Sequence, residues 1–98
     1  MTRTFHLDGR RIGTPEDFYR EIGEAVNGPT GYFGANLDAL ADCLRGGFGT
    51  TPGEHVEFEW RHSDASRRRL RGVRRGGIGF VDAVREVFDD AGVTLRLR

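Results

Sequence analysis

Three short stretches of this chain alternate apolar and polar residues, which is the pattern of β-strands with one buried face. They cover residues 4–7, 56–60 and 93–98. Because none of the three is continuously apolar, we expect one face of the sheet to meet solvent and the helices to cover only the other. Trp60 falls on the apolar side of its strand and is expected in the core.

Two helices are predicted between the first and second strands. Thr14 is suited to cap a helix that starts at Pro15 and ends at Asn27. Asn36 is suited to cap a second, short helix over residues 37–45, which a glycine then ends.

Helical segments also separate the second and third strands. Residues 63–71 favour a short, arginine-rich helix, and apolar residues recur at helical spacing from Ile78 to Phe88, ahead of Gly92. An order of strand, two helices, strand, one or two helices, strand favours parallel strands joined by helical crossovers. The predicted fold class is therefore α/β, with a three-stranded parallel sheet and one layer of helices covering it.

The composition narrows the classes of function. A chain of 98 residues is expected to form one domain over residues 1–98. Acidic and basic residues number fifteen each, so no field of the whole molecule attracts nucleic acid or membranes. The one cysteine, Cys43, cannot form an internal disulfide, and no targeting segment or membrane span is visible. We therefore expect a cytoplasmic protein without membrane contact.

The charges are distributed unevenly along the chain. Residues 27–60 contain five acidic residues against one arginine, Arg45. Residues 61–75 contain seven arginines against one acid, Asp64. The chain thus has an acidic stretch followed by a basic one.

The second predicted helix carries the most informative acids. Asp38 and Asp42 are four residues apart and fall together on its solvent side. The helix dipole favours Asp38 in the first turn, but Asp42 lies beyond that support and has only Arg45 as a local partner. Two solvent-facing acids with little local reason for the second indicate a basic partner.

The same stretch carries a family resemblance. Residues 32–44 read Tyr-aromatic-Gly-x-Asn-Leu-Asp-Ala-Leu-x-Asp-Cys-Leu, which resembles the signature of the barstar family of intracellular ribonuclease inhibitors. Residues 58–61 and 87–91 resemble two later segments of that family in the same order. The similarity covers nearly the whole chain and implies a barstar-like fold.

The resemblance also implies a function, which is inhibition of a secreted, guanyl-specific, barnase-like ribonuclease in a one-to-one complex. It implies that Asp42 enters the phosphate-binding site of the enzyme, that Asp38 and Asp90 pair with surrounding basic groups, and that the protein is no enzyme, needs no cofactor or metal, and is monomeric when free. The partner-binding residues that it implies are Tyr32, Gly34, Asn36, Asp38, Asp42, Gly46 and Asp90.

Other functions stay open at this point. The scaffold could serve as an immunity protein for a different toxin, and Ala35, Ala41 and Arg45 depart from the family pattern in ways that bear on specificity. The arginines from Arg67 to Arg75 could bind RNA, although direct nucleic-acid binding is disfavoured because no aromatic residue lies among them. Catalysis is also disfavoured, because no histidine neighbours Cys43, which we expect to be an unreactive, partly buried thiol.

Overall fold

The structure is a computed structural model that describes residues 2–46, 48–51 and 53–98. Helices and strands follow the predicted order, with a small hairpin added between the last two helices. In chain order the elements are β1 (Arg3–Asp8), α1 (Pro15–Asn27), α2 (Leu37–Leu44), β2 (Val56–Arg61), α3 (Ser63–Arg69), β3 (Arg74–Arg75), β4 (Ile78–Gly79), α4 (Phe80–Ala91) and β5 (Thr94–Leu97). A short 3-10 helix, Gly9–Arg11, follows β1.

The main sheet has three parallel strands in the order β1-β2-β5, which confirms the predicted fold class. Phe5 lies opposite Phe58 and Leu7 opposite Trp60, and all four side chains are buried under the helices. The alternate residues of the strands point to the other side, where they are partly or fully exposed. One face of the sheet is therefore the core, and we call the other the open face.

A buried polar contact connects the centre of the sheet to α3. The Trp60 indole N–H donates to Ser66 Oγ at 3.0 Å, and Ser66 Oγ donates to the Gly9 carbonyl at 2.7 Å. Phe18 of α1 packs on the same indole with ring centroids 5.1 Å apart. The predicted core position of Trp60 is confirmed, and its N–H has the partner that a buried indole requires.

Capping explains why α1 starts where the sequence predicts. Thr14 Oγ1 accepts the Asp17 N–H at 3.0 Å, and Asp17 Oδ2 accepts the Gly13 N–H at 3.0 Å. Pro15 occupies the first turn, where its missing N–H costs nothing. The hydrogen bond from Gly13 is the main reason that the pKa of Asp17 lies below its ordinary value.

Residues 74–79 correct the sequence-based prediction. Arg74–Arg75 and Ile78–Gly79 form an antiparallel hairpin around Gly76 and Gly77, whose φ angles are 61° and 85°. A two-residue hairpin turn of this kind needs positive φ at both positions, which glycine adopts without strain. Ile78 therefore belongs to β4, and α4 begins at Phe80. The preceding helix, α3, also ends at Arg69 instead of continuing to Arg71.

Candidate functional site

The acidic helix α2 is short and firmly bounded. Asn36 Oδ1 accepts the Ala39 N–H at 2.8 Å, and the positive φ of Gly46, 104°, follows the C-cap residue Arg45. The inner face of α2 packs against α4 and buries Leu40, Leu44 and Cys43. This packing leaves the opposite face of α2 in solvent.

Gly34 allows the chain to pass closely under the start of α2. Its φ is 99°, and a Cβ at this position would lie 2.8 Å from the Leu40 backbone nitrogen. The preceding Phe33 is buried against Phe58, with ring centroids 6.0 Å apart. Gly34 is itself buried, so it acts by positioning α2 and not by presenting a side chain.

Asp38 and Asp42 both lie on the solvent side of α2, as predicted. Asp38 makes no ion pair within the described part of the chain. Asp42 Oδ1 lies 3.2 Å from Arg45 Nη1, and the two side chains are 67% and 75% exposed. An exposed pair of this type contributes only about 0.3–0.5 kcal/mol, so a partner could displace Arg45 easily.

Asp90 shares an unusual feature with Asp42. Each lies in the last turn of its helix, α4 or α2, where the negative end of the helix dipole disfavours a carboxylate by about 0.3–1 kcal/mol. Neither last turn contains a basic residue, and Asp90 makes no ion pair among the residues described. These acids are therefore placed where the local electrostatics of the fold oppose them.

Two exposed aromatic residues flank α2 along the chain. Tyr32 precedes the helix and is 52% exposed, Phe48 follows it and is 46% exposed, and their ring centroids lie 6.5 Å apart. The Asn27 side-chain amide donates to both the Tyr32 and the Phe48 carbonyl oxygens, each at 2.7 Å. We call Tyr32, Asp38, Asp42 and Phe48 together the α2 surface. It combines apolar rings with two carboxylates.

Asn27 and Phe48 were not among the partner-binding residues predicted from the sequence. Asn27 was assigned only the role of ending α1, although its side chain bridges two segments that are distant in sequence. For Phe48 a signal existed, because it is a single large apolar residue within a glycine-rich loop. For Asn27 no signal existed, since a hydrogen bond between distant segments leaves no local pattern.

Comparison with known proteins identifies the family. The model of the Barstar (barnase inhibitor) family matches residues 2–98. The chain belongs to the Barstar (barnase inhibitor) family. Its members are inhibitors and not enzymes, and the family implies a ribonuclease of barnase type or similar as the partner. Comparison with the curated proteins finds no match.

The acidic stretch of this barstar-family chain does not form one surface. Glu57 and Glu59 alternate with buried residues of β2 and therefore point to the open face, away from the helices. Glu54 pairs with Arg3 at 2.9 Å. Of the five acids between residues 27 and 60, only Asp38 and Asp42 belong to the α2 surface.

Cys43 is more deeply buried than predicted, with 1% of its surface exposed. Burial, and to a lesser extent the Asp42 carboxylate, raises the pKa of the Cys43 thiol above its ordinary value. The thiol is therefore protonated and inaccessible at neutral pH. Among the residues described, no three His, Cys, Asp or Glu side chains are grouped to hold a metal ion, and no helix is long and apolar enough to cross a membrane.

Proposed function

We propose that this protein inhibits a secreted, guanyl-specific, barnase-like ribonuclease by covering its active site with the α2 surface. The observation that carries the proposal is the placement of Asp42. This carboxylate is exposed at the unfavourable end of its helix, and its one ion-pair partner is an equally exposed arginine. A carboxylate that contributes so little to the fold is suited to bind a cationic partner.

The chemistry of the enzyme supplies that partner. A ribonuclease must hold an anionic phosphate, so its active site concentrates basic side chains. In our proposal Asp42 occupies the phosphate-binding site, Asp38 lies at its margin, and Asp90 pairs with basic groups that reach α4. Substrate is excluded because the same cations cannot hold an RNA phosphate and these carboxylates together.

The other residues at and around the α2 surface contribute either apolar contact area or the fixed position of α2. Tyr32 and Phe48 present the kind of large, rigid apolar surface that anchors protein interfaces. Gly34, Asn36 and Gly46 fix the position and the ends of α2, so their contribution is to hold the carboxylates in one geometry. A preorganised helix loses little conformational entropy on binding.

The proposed function also implies a cellular location for the protein and a one-to-one complex with its partner. We infer that the protein resides in the cytoplasm of the producing cell, where the unpaired Cys43 stays reduced and where misdirected ribonuclease would destroy cellular RNA. We further infer that it is monomeric when free and binds one ribonuclease molecule, since one α2 surface can fill one active site.

The test is a titration of the purified protein into small guanyl-specific bacterial ribonucleases, following RNA cleavage at low and moderate salt. We expect activity to fall to zero at one equivalent, with association slowed by salt. Undiminished cleavage by every ribonuclease of such a panel would contradict the proposal. Inhibition of a different class of toxin by the same surface would then identify the scaffold as an immunity protein for that toxin.

A further inference from the structure

Six arginines lie between residues 67 and 75, and four of them have partners within the chain. Arg74 and Arg75 donate to backbone carbonyls within the β3–β4 hairpin, and the other two contact α3 and the segment after β1. Arg68 Nη1 lies 3.4 Å from Asp64 Oδ2, and Arg69 Nη1 donates to the Arg10 carbonyl at 3.2 Å. The guanidinium of Arg69 also covers Gly13, where a Cβ would collide with it. Contacts within the chain therefore explain the positions of Arg68 and Arg69.

Three of the six, Arg67, Arg71 and Arg74, line one groove of about 230 Å³. None of the three makes an ion pair with a carboxylate within the described ranges of the chain. The one acid that lines the groove is Asp82, and its carboxylate lies 3.8 Å from Arg85. The groove thus has an excess of positive charge that the protein itself does not neutralise.

The backbone around the groove is held in place by hydrogen bonds. The Phe80 N–H donates to the Val73 carbonyl at 2.8 Å, which joins the start of α4 to the turn before β3. Arg74 Nη2 donates to the Gly77 carbonyl at 2.8 Å, across the hairpin turn. The buried side chains of Leu70 and Phe80 contribute to the lining. Arg67, Arg71 and Arg74 therefore line a groove whose backbone is fixed by hydrogen bonds.

We propose that this groove binds a phosphate group. Guanidinium groups form paired hydrogen bonds with phosphate oxygens, and several of them on one groove can hold the same phosphate. The phosphate could belong to an RNA chain or to a free oligophosphate, and the groove would hold either through the same oxygens. No groove residue belongs to the α2 surface, so this binding is independent of ribonuclease inhibition.

The test uses the intact protein and two probes, inorganic pyrophosphate and a ten-nucleotide single-stranded RNA, each titrated at low salt with calorimetry and arginine side-chain NMR. We expect Arg71→Ala and Arg67→Ala each to weaken pyrophosphate binding about tenfold. Arg68→Ala removes the same charge from the same region but outside the groove, and we expect it to change binding less than about twofold. Thermal unfolding of each variant confirms that the fold is retained.

The probes distinguish the source of the phosphate. Binding of both probes, with the same loss in Arg71→Ala, supports RNA as the ligand, and binding of pyrophosphate alone supports a free oligophosphate. Equal losses in Arg68→Ala and Arg71→Ala would reduce the effect to general charge attraction and overturn the site. Binding of citrate as tightly as pyrophosphate, or of neither phosphate probe below about millimolar concentration, would also overturn it. Asp42→Ala separates the two functions, because it should weaken ribonuclease inhibition and leave phosphate binding unchanged.

Discussion

The open face of the sheet and the α2 surface both carry carboxylates, but these carboxylates differ in how many ion-pair partners they have. On the open face, Glu59 lies 2.7 Å from Arg61, 3.3 Å from His6 and 3.5 Å from Arg98. On the α2 surface, Asp42 has one exposed partner and Asp38 has none within the described chain. The carboxylate of Glu59 on the open face thus has several basic neighbours, whereas those of the α2 surface are mainly exposed to solvent.

This difference separates charges that serve the fold from charges that serve a partner. Glu57 resembles Glu59, because it also pairs with an arginine of the neighbouring strand, Arg96, and lies 4.0 Å from the His55 ring. A face whose charges are already matched has little to offer a charged protein. Unmatched carboxylates beside exposed aromatic rings have both the charge and the apolar area that an interface needs.

The largest expected effect is the loss of binding in Asp42→Ala. If Asp42 enters the phosphate site, its removal should weaken ribonuclease binding by at least about 2 kcal/mol, or about thirtyfold, mostly through faster dissociation. Stability should change by less than about 0.5 kcal/mol, because the Arg45 pair is exposed. Surface plasmon resonance measures both rates. Glu59→Gln is the matched control, and equal binding losses in both variants would contradict the distinction between the faces.

The second effect concerns the backbone under α2. Gly34→Ala should destabilise the protein by about 1–3 kcal/mol, because it combines a positive φ with a Cβ clash against Leu40. Gly92→Ala is the control, since Gly92 also has positive φ but has nothing within 4 Å of its Cβ position. Urea unfolding compares the two variants. A smaller loss in Gly34→Ala than in Gly92→Ala would show that the contact with α2 is not tight.

The third effect is a pH-dependent contribution of Glu59, on the open face, to the stability of the protein. The hydrogen bond from Arg61, with the nearby charges of His6 and Arg98, holds the pKa of Glu59 below its ordinary value of 4.5. Glu59 therefore stabilises the fold above that value, and the contribution is lost as the pH falls through its lowered pKa. We expect Glu59→Gln to be less stable than wild type at pH 7, with the difference in unfolding free energy disappearing as the pH falls below 4.5. Thermal melts across this range measure it, and a gap independent of pH would contradict the assignment.

The smallest effect is expected at Arg45. This side chain competes with a basic partner for Asp42 and repels it, so Arg45→Ala should accelerate association with a ribonuclease about two- to fivefold at low salt. The acceleration should shrink as salt screens the charge. Stopped-flow mixing measures it. Slower association in Arg45→Ala would instead indicate that Arg45 contacts an acidic group of the partner.

Local signals made part of the fold predictable. Thr14, Pro15 and Asn36 mark helix starts, and the alternation around Phe58 marks β2, so these elements lie close to where the sequence places them. The hairpin was missed because strands of two residues show no periodicity. The Gly76-Gly77 pair was its one signal, because two adjacent glycines suit a two-residue hairpin turn.

The candidate site was predictable only in part. Caps and helical spacing predicted that Asp38 and Asp42 share the solvent side of α2. The alternation of residues 56–60 likewise predicted that Glu57 and Glu59 lie on the side of β2 opposite its buried residues, and the structure places them there. Which carboxylates have partners depends on residues far away in sequence, and that information appears only in three dimensions.

We predict that a ribonuclease binds the side of the molecule that carries Asp38 and Asp42, whose carboxylates have at most one exposed partner among the described residues. Amide chemical-shift mapping of the labelled protein, free and with one equivalent of an inhibited ribonuclease, tests it most directly. We predict that shifts concentrate in residues 32–46, with Phe48 and Asp90, while Glu57, Glu59 and Arg96 on the open face stay unchanged. Shifts centred on the open face, with α2 unaffected, would contradict the account.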